Sequence, residues 1–336
     1  MPIRTAVVGF GLAGQVFHAP FLTTDDAYAL EFVVTSDHER AAAAERVGPR
    51  AAAPLAAALG ARPDLVVVAT PPASHVRVAS AALEAGCAVV IDKPMSTDVA
   101  GGRALIERAE ELGRPLTVFQ NRRWDGDFRT VQRLVADGAL GRVHRFESRF
   151  ERWKPQEPKA WKAESSWQEG GGVLFDFGSH LIDQALVLFG PARLAHAELS
   201  RHHRAAEDDV FLALEHDGGV TSHLWMSNVT GQPGPRLRVL GSAGAFTRTA
   251  GDIQEVQLGQ GMMPTDPRYG HSDPADDGVL GVAGDLTPVR TEVGSYQSFY
   301  ALLAAALQAG GPVPVDPRES LAAIEIIEQV HRQLSA

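Results

Sequence analysis

The sequence is poor in cysteine and carries no excess of positive charge. Its one cysteine, Cys87, excludes an internal disulfide and indicates a reducing compartment. The formal net charge of -10 argues against a nucleic-acid or anionic-membrane surface. Apolar runs such as LVVVAT are too short to span a bilayer, and MPIRTAVVGFG enters a strand pattern without signal-peptide features. We therefore expect a cytoplasmic protein with no nucleic-acid or membrane partner.

Length and composition indicate an ordinary globular protein of more than one domain. The 336 residues exceed the usual size of a single core, and the hydrophobic and charged shares are 45% and 21%. Over the first 120 residues, short β-branched runs alternate with Ala-rich helical patterns. Such runs predict a doubly wound parallel sheet covered by helices on both faces. We place one domain at residues 1–120 and a second at 121–336.

A glycine-rich turn follows the first predicted strand. It reads Gly9-Phe10-Gly11-Leu12-Ala13-Gly14, a G-x-G-x-x-G between a strand and a helix. The glycines allow a tight turn, close approach of a pyrophosphate, and close packing of the helix on the strand. Because the turn opens a β-α-β series, it predicts a dinucleotide-binding Rossmann domain, with these six residues in contact with the cofactor.

The residues after the second strand decide which dinucleotide is bound. A carboxylate at that point binds the ribose 2′-hydroxyl and repels a 2′-phosphate. Ser36 is neutral and admits a phosphate, Asp37 is placed to reach the ribose, and His38 and Arg40 are candidate phosphate partners. An ordinary helix cap is the alternative interpretation of the same residues. We expect NAD(P), with NADP slightly favoured.

Further candidate site residues follow later strands. Thr70, Pro71 and His75 come after the fourth strand and are predicted to contact the cofactor, as are Asp92 and Lys93 after the fifth. Asn121 and Arg123 follow the sixth strand and are predicted to bind substrate, with a surface salt bridge as the alternative. In GGGVLFDFGSHLID, Asp176 precedes His180 by four residues, which places both on one face of a helix.

These motifs together resemble the glucose–fructose oxidoreductase / inositol dehydrogenase / rhizopine-catabolism (Gfo/Idh/MocA) family. ALEAGCAVVIDKP and GGGVLFDFGSHLID carry the resemblance, and FQNRRWDGDF is similar to the scyllo-inositol dehydrogenase branch, whose members often prefer NADP. The sequence departs in having Asp92 where the family usually has Glu. The resemblance implies a C-terminal α+β domain with an open, mainly antiparallel sheet, and a homodimer or homotetramer formed through that sheet.

The same resemblance fits a chemical interpretation of three residues. His180 is the candidate general base, because imidazole titrates near neutral pH. Asp176 would orient the substrate hydroxyls, and Lys93 would stabilise the developing alkoxide. The alternatives are a surface lysine, an N-cap aspartate and a packed core histidine. No recognisable spacing of metal ligands surrounds Asp176 and His180, so no metal is predicted.

Two other features bear on the substrate. Trp161 and Trp167 lie in a polar loop, and their aromatic faces suit a sugar or cyclitol, whereas core packing is expected for Trp124 and Trp153. Residues 251–285 show no helical or strand period and are predicted to form a long loop or lid.

The sequence therefore predicts an NAD(P)-dependent dehydrogenase that acts on a secondary hydroxyl of a cyclitol or sugar. An NAD-dependent glycoside hydrolase on the same scaffold is one alternative. A non-catalytic dinucleotide or sugar sensor is the other.

Overall fold

The computed structural model describes residues 1–156 and 164–334 of the chain. They form two compact units. The first comprises residues 1–121, 254–269 and 295–321, and the second comprises the remaining described residues. A boundary at residue 120 stays a prediction.

A six-stranded parallel sheet forms the centre of the first unit. Its strands are β1 (Ile3–Val8), β2 (Tyr28–Val34), β3 (Arg50–Ala52), β4 (Leu65–Val68), β5 (Ala88–Asp92) and β6 (Leu116–Phe119). They lie in the order β3-β2-β1-β4-β5-β6, so the connections reverse direction between β1 and β4. Every side chain of β4 is buried, as expected of a parallel sheet covered on both faces. The predicted Rossmann fold is confirmed.

The helices of this unit follow the alternation expected from the sequence. A π-helical segment, Ala13–His18, continues as α1 (Ala19–Thr24), and the next helices are α2 (His38–Val47), α3 (Leu55–Gly60), α4 (His75–Glu84) and α5 (Val99–Glu111). Later in the chain, α8 (Gln254–Gly259), α9 (Gln297–Ala309) and the start of α10 (Pro317–Leu334) belong to the same unit.

An aromatic cluster explains why residues 295–321 belong to the first unit. The Tyr300 hydroxyl lies 2.6 Å from Nδ1 of His18, and the Tyr28 hydroxyl donates to the Tyr300 carbonyl at 2.6 Å. The Tyr300 ring also stacks on Phe21, with 5.8 Å between ring centroids. Tyr300 and Phe21 are fully buried, so the C-terminal half of the chain completes this core.

An eight-stranded mixed sheet forms the second unit. Its strands are β7 (Val143–Glu151), β8 (Ala192–Ser200), β9 (Asp209–His216), β10 (Thr221–Ser227), β11 (Leu237–Gly241), β12 (Ala245–Arg248), β13 (Gly278–Val282) and β14 (Asp285–Val289). Their order is β14-β13-β12-β11-β7-β10-β9-β8, and all pairs are antiparallel except β7 with β10. The prediction of an open, mainly antiparallel sheet is confirmed.

One long helix packs on the centre of this sheet. A π-helical segment, Leu174–Gly178, continues as α7 (Ser179–Phe189), and α6 (Gly126–Ala136) precedes β7. The π-helical segment and α7 both contact β10, and α7 also contacts β7. Buried Leu212 and Leu214 of β9 and Leu224 and Met226 of β10 alternate with less buried neighbours, which gives the sheet one apolar face.

The prediction that residues 251–285 lack regular structure is wrong. They contain α8 and β13, and β14 begins at the last of them. Most of the glycines, prolines and aspartates that obscured any periodicity lie outside these short elements, whereas Gly259 lies in α8 and Gly278 and Gly281 lie in β13.

One helical stretch within the described residues, Trp167–Phe189, is long and apolar enough to cross a membrane by length and composition. In this fold 61% of its apolar window is buried inside the protein, as in a core helix, so the match is weak evidence for a membrane span.

Candidate active site

Each glycine of the first turn meets a different constraint. At Gly9, φ is 94° and a Cβ atom would lie 2.5 Å from the carbonyl oxygen of Ala69. At Gly14, a Cβ would collide with the Gly9 carbonyl. At Gly11, the nearest atom to a Cβ would be Nη1 of Arg40, 4.0 Å away. Packing therefore requires glycine at positions 9 and 14, whereas the space beside Gly11 is open.

That open space fits a dinucleotide. Glycine at this position lets the main chain approach a pyrophosphate, and a helix begins two residues later at Ala13. The Phe10 side chain is buried, while that of Leu12 is 60% exposed. These residues fit NAD(P), and the contacts of each with the cofactor stay predictions.

Asp37 forms the cap of α2. Its Oδ1 accepts a hydrogen bond from the Arg40 main-chain N–H at 3.0 Å, and its Oδ2 lies 3.5 Å from Nε of Arg40. The bond from the Arg40 N–H is the main reason that the pKa of Asp37 lies below its usual value. The capping interpretation is confirmed for Asp37. Ser36 is exposed between β2 and this cap, and the cofactor contacts of both residues stay predictions.

His75 links the turn after β4 to the turn after β5. Its Nε2 lies 2.7 Å from the carbonyl oxygen of Thr70, and its Nδ1 lies 2.8 Å from that of Pro94. The ring is buried, which lowers the pKa of His75. Both ring nitrogens face main-chain carbonyls, so His75 would affect a bound cofactor by positioning these two turns. The predicted cofactor contacts of Thr70, Pro71 and His75 stay predictions.

Lys93 follows β5 directly, at the carboxyl edge that also carries the glycine turn. Asp92 ends the strand, and its Oδ1 accepts a hydrogen bond from the Lys93 N–H at 2.9 Å. Lys93 is half-buried and Pro94 is buried, so this turn is packed against its surroundings. The Asp92 carboxylate therefore forms a hydrogen bond within its own turn, at the position where the family usually has the longer glutamate.

Asp176 and His180 lie on the long helix of the second unit. The N-cap of that helix is Val173 and Asp176 is in its first turn, so Asp176 is not the N-cap residue of the alternative interpretation. His180 is 4% exposed, and its ring meets that of Phe150 edge-on at 6.2 Å. The spacing places both side chains on the same side of the helix.

Arg123 forms a buried ion pair. Its Nε and Nη2 donate to the Asp183 carboxylate at 2.8 and 2.6 Å, and both side chains are nearly inaccessible. The alternative interpretation, a surface salt bridge, is therefore wrong about the location of the pair, because both side chains are buried. Asn121 is buried at the start of a short 3₁₀ turn after β6. Substrate contacts of Arg123 and Asn121 stay predictions.

The tryptophans differ in their surroundings. Trp167 stacks on His331, with 4.4 Å between centroids and 9° between planes. Trp153 is 65% exposed, so the expectation that it packs in the core is wrong. Trp161 lies in residues 157–163, outside the described part of the chain. Substrate contacts of Trp161 and Trp167 stay predictions.

The sequence interpretation missed Glu207, His331 and Asp183. Asp183 could have been found from the sequence, because it follows His180 by three residues on the same helix. Glu207 and His331 could not, because 124 residues separate them and only folding brings them to 3.9 Å. Among the described residues, no group of three or more His, Cys, Asp or Glu side chains is arranged to hold a metal ion.

Comparison with known proteins identifies the family. The model described as an oxidoreductase family with an NAD-binding Rossmann fold matches residues 3–120, and the model of the GFO/IDH/MocA C-terminal domain matches residues 128–247. The uncharacterized oxidoreductase YdgJ of Escherichia coli is 33% identical over 97% of this chain and 94% of its own length. The NADP(+)-linked scyllo-inositol 2-dehydrogenase IolW of Bacillus subtilis is 31% identical over 97% of this chain and 92% of its own.

A solved structure shows the same fold. The putative oxidoreductase yvaA of Bacillus subtilis superposes with a TM-score of 0.91 at 30% identity, covering 99% of this chain and 96% of that one. Both family models, these relatives and the two sheets agree. The chain belongs to the Gfo/Idh/MocA family of NAD(P)-binding oxidoreductases.

Proposed function

We propose that this oxidoreductase is an NAD(P)-dependent dehydrogenase that interconverts a secondary hydroxyl and a ketone on a cyclitol or sugar. The observation that carries the proposal is the place of Lys93. It lies at the same edge of the sheet as the open glycine turn, and the His75 ring nitrogens lie 2.7 and 2.8 Å from main-chain carbonyls in the turns after β4 and β5. The Lys93 main chain is therefore held at the edge of the sheet where the cofactor is predicted to bind.

Three side chains perform the proposed chemistry. A bound NAD(P) accepts or supplies the hydride. His180 takes the proton of the reacting hydroxyl, and Asp176 orients neighbouring hydroxyls and stabilises the imidazolium. Lys93 stabilises the alkoxide as it forms, because its positive charge is already in place before the reaction.

We further propose that NADP is preferred. The Arg40 guanidinium is the group nearest to the open side of Gly11, and it also pairs with Asp37. That pairing offsets the carboxylate charge that would repel a 2′-phosphate. The NADP(+)-linked relative from Bacillus subtilis supports the same preference.

We also propose that the protein is a cytoplasmic homodimer or homotetramer that assembles through the second sheet. The face of that sheet opposite its apolar core bears the half-buried rings of Phe211 and Trp225, 5.0 Å apart, and Arg149 stacks on Trp225 at 3.7 Å. Aromatic residues and arginine are enriched at interfaces between proteins. Light scattering of wild type and of Trp225→Asp tests this assembly.

The substrate class is tested by a panel of inositols, sugars and sugar acids, each assayed with NAD and NADP for a change in nicotinamide absorbance. Reduction of the cofactor by at least one cyclitol or sugar is expected. Release of an aglycone from a glycoside without net cofactor change would identify a hydrolase. Cofactor binding without turnover on any compound would identify a sensor.

A further inference from the structure

A buried carboxyl group lies against the glycine turn that precedes the Asp176–His180 helix. Gly172 has φ of 91°, and a Cβ atom at this position would collide with the carboxylate oxygens of Glu207. Glu207 comes just before β9 and is completely inaccessible to solvent. The chain therefore needs glycine at position 172 because a carboxyl group occupies the space of a side chain.

Glu207 binds the start of the helix twice. Its main-chain carbonyl accepts a hydrogen bond from Val173 N–H at 3.0 Å, and its Oε1 accepts one from Leu174 N–H at 3.2 Å. These N–H groups belong to the first turn, where no helical carbonyl precedes them as a partner. Asp176 is in this same turn, and His180 lies one turn further on.

A histidine completes the cluster from the C-terminal helix. His331 Nε2 lies 3.9 Å from Oε1 of Glu207, and its ring is nearly parallel to those of Trp167 and Phe175, at centroid distances of 4.4 and 6.2 Å. The Oε2 of Glu207 and the Nε2 of His331 are buried without a hydrogen-bond partner among the described residues. Other nearby charges are those of Arg201 and Asp208.

Burial favours the neutral form of both groups of the cluster. Burial raises the pKa of Glu207 to about 7 and lowers the pKa of His331 to about 4. Above pH 7 the carboxylate becomes charged beside the helix N-terminus, where a negative charge is favourable.

We propose that Glu207 is a positioning residue for the reaction: through its bonds to the first turn, it fixes the helix that presents Asp176 and His180. This inference rests on the proposed function, because it assumes that these two residues act on the substrate. Trp167 then serves the same purpose by packing on His331, which in turn lies against Glu207.

The experiment compares Glu207→Ala with Glu207→Gln, using Glu215→Ala as a control at an exposed carboxylate of the same unit. Alanine removes the acceptor of the Leu174 N–H, and we expect kcat to fall about 10- to 100-fold, the range expected when reacting groups shift slightly. The Kd for NAD(P)H should not change, because the predicted cofactor residues lie in the first unit. Glutamine keeps an acceptor oxygen and should retain most of kcat.

Rescue by the conservative variant separates positioning from a merely structural role. Glu207→Gln keeps an oxygen that accepts the Leu174 N–H, so its kcat should stay close to that of wild type and Glu215→Ala. An equal loss of kcat in Glu207→Gln and Glu207→Ala would overturn the proposal, as would wild-type kcat in Glu207→Ala. If Glu207→Ala fails to fold, a loss of kcat of about tenfold or more in Glu207→Gln, on the order of the alanine effect, would overturn it.

Hydrogen exchange distinguishes this inference from the proposed function. Amides of residues 173–180 should exchange faster in Glu207→Ala than in wild type, whether or not a substrate is known. If His180→Ala leaves turnover intact while exchange changes as expected, the proposed function fails and the anchoring of the helix stands. If His180→Ala lowers turnover but Glu207→Ala alters neither kcat nor exchange, the positioning role is overturned.

Discussion

The Arg123 guanidinium and the Asp183 carboxylate form two parallel hydrogen bonds in a nearly dry environment, with side-chain exposures of 12% and 3%. Removal of the arginine takes these two hydrogen bonds from the buried carboxylate. We expect Arg123→Ala to lower the free energy of unfolding by about 3–5 kcal/mol. Arg193→Ala, which breaks an exposed pair with Glu215, should cost less than about 1 kcal/mol. Urea unfolding measures both, and equal losses would contradict the account.

Two substitutions in the glycine turn should have different effects: Gly11→Ala should weaken cofactor binding, and Gly14→Ala should destabilise the fold. Gly11→Ala adds a methyl group to open space, so the free energy of unfolding should change by less than about 1 kcal/mol. The affinity for NAD(P)H should fall at least about tenfold, which corresponds to ~1.4 kcal/mol. Gly14→Ala collides with the Gly9 carbonyl and should cost about 1–3 kcal/mol of stability. Thermal unfolding and cofactor fluorescence test this. Full cofactor affinity in Gly11→Ala would argue against pyrophosphate binding here.

The position of Arg40 predicts a selective effect on cofactor choice. Arg40→Ala should weaken NADPH binding by about 1.5–3 kcal/mol, the usual contribution of a charged hydrogen bond. It should leave NADH binding unchanged or improved, because Asp37 loses the cation that offsets its charge. Arg46→Ala, on the same helix, is the matched control. Parallel titrations with both cofactors decide the matter, and equal losses for NADH and NADPH would exclude a 2′-phosphate contact.

The buried imidazole of His18 predicts acid sensitivity. Burial lowers the pKa of His18 from 6.5 to about 3. The unfolded chain binds this proton first as the pH falls, so the stabilisation present above pH 6.5 is lost progressively down to pH 3, by roughly 5 kcal/mol in total. His18→Gln should flatten this part of the stability–pH curve, whereas exposed His271→Gln should not. Urea midpoints measured from pH 7 to 4 test the slope, and parallel curves for His18→Gln and wild type would be contrary to expectation.

Local patterns predicted the fold where neighbours in sequence are also neighbours in space. The turn at Gly9–Gly14, the buried strand LVVV and the alternating β10 all follow from short-range rules. Long-range partners carry no such signal. His18 and Tyr300 meet across 282 positions, and no pattern near either residue indicates the other. For the same reason, no local pattern indicates that residues 295–321 pack with the first unit.

The candidate site was predictable in its residue types and less so in their surroundings. The i, i+4 spacing placed Asp176 and His180 on one helix, and the structure contains that helix. The reason for Gly172 was not predictable, because Glu207 lies in a different segment of the chain. Likewise, the charge of Arg123 is visible in the sequence, whereas its bond to Asp183 depends on how two helical segments pack.

The proton-accepting role of His180 is the central claim, and one comparison tests it most directly. Hydride transfer to NAD(P) is followed by absorbance in wild type, His180→Ala and the exposed control His271→Ala, with the Kd for NAD(P)H measured alongside. The account predicts that turnover falls about 10²- to 10⁴-fold in His180→Ala alone, with cofactor affinity unchanged. Undiminished turnover in His180→Ala would contradict it.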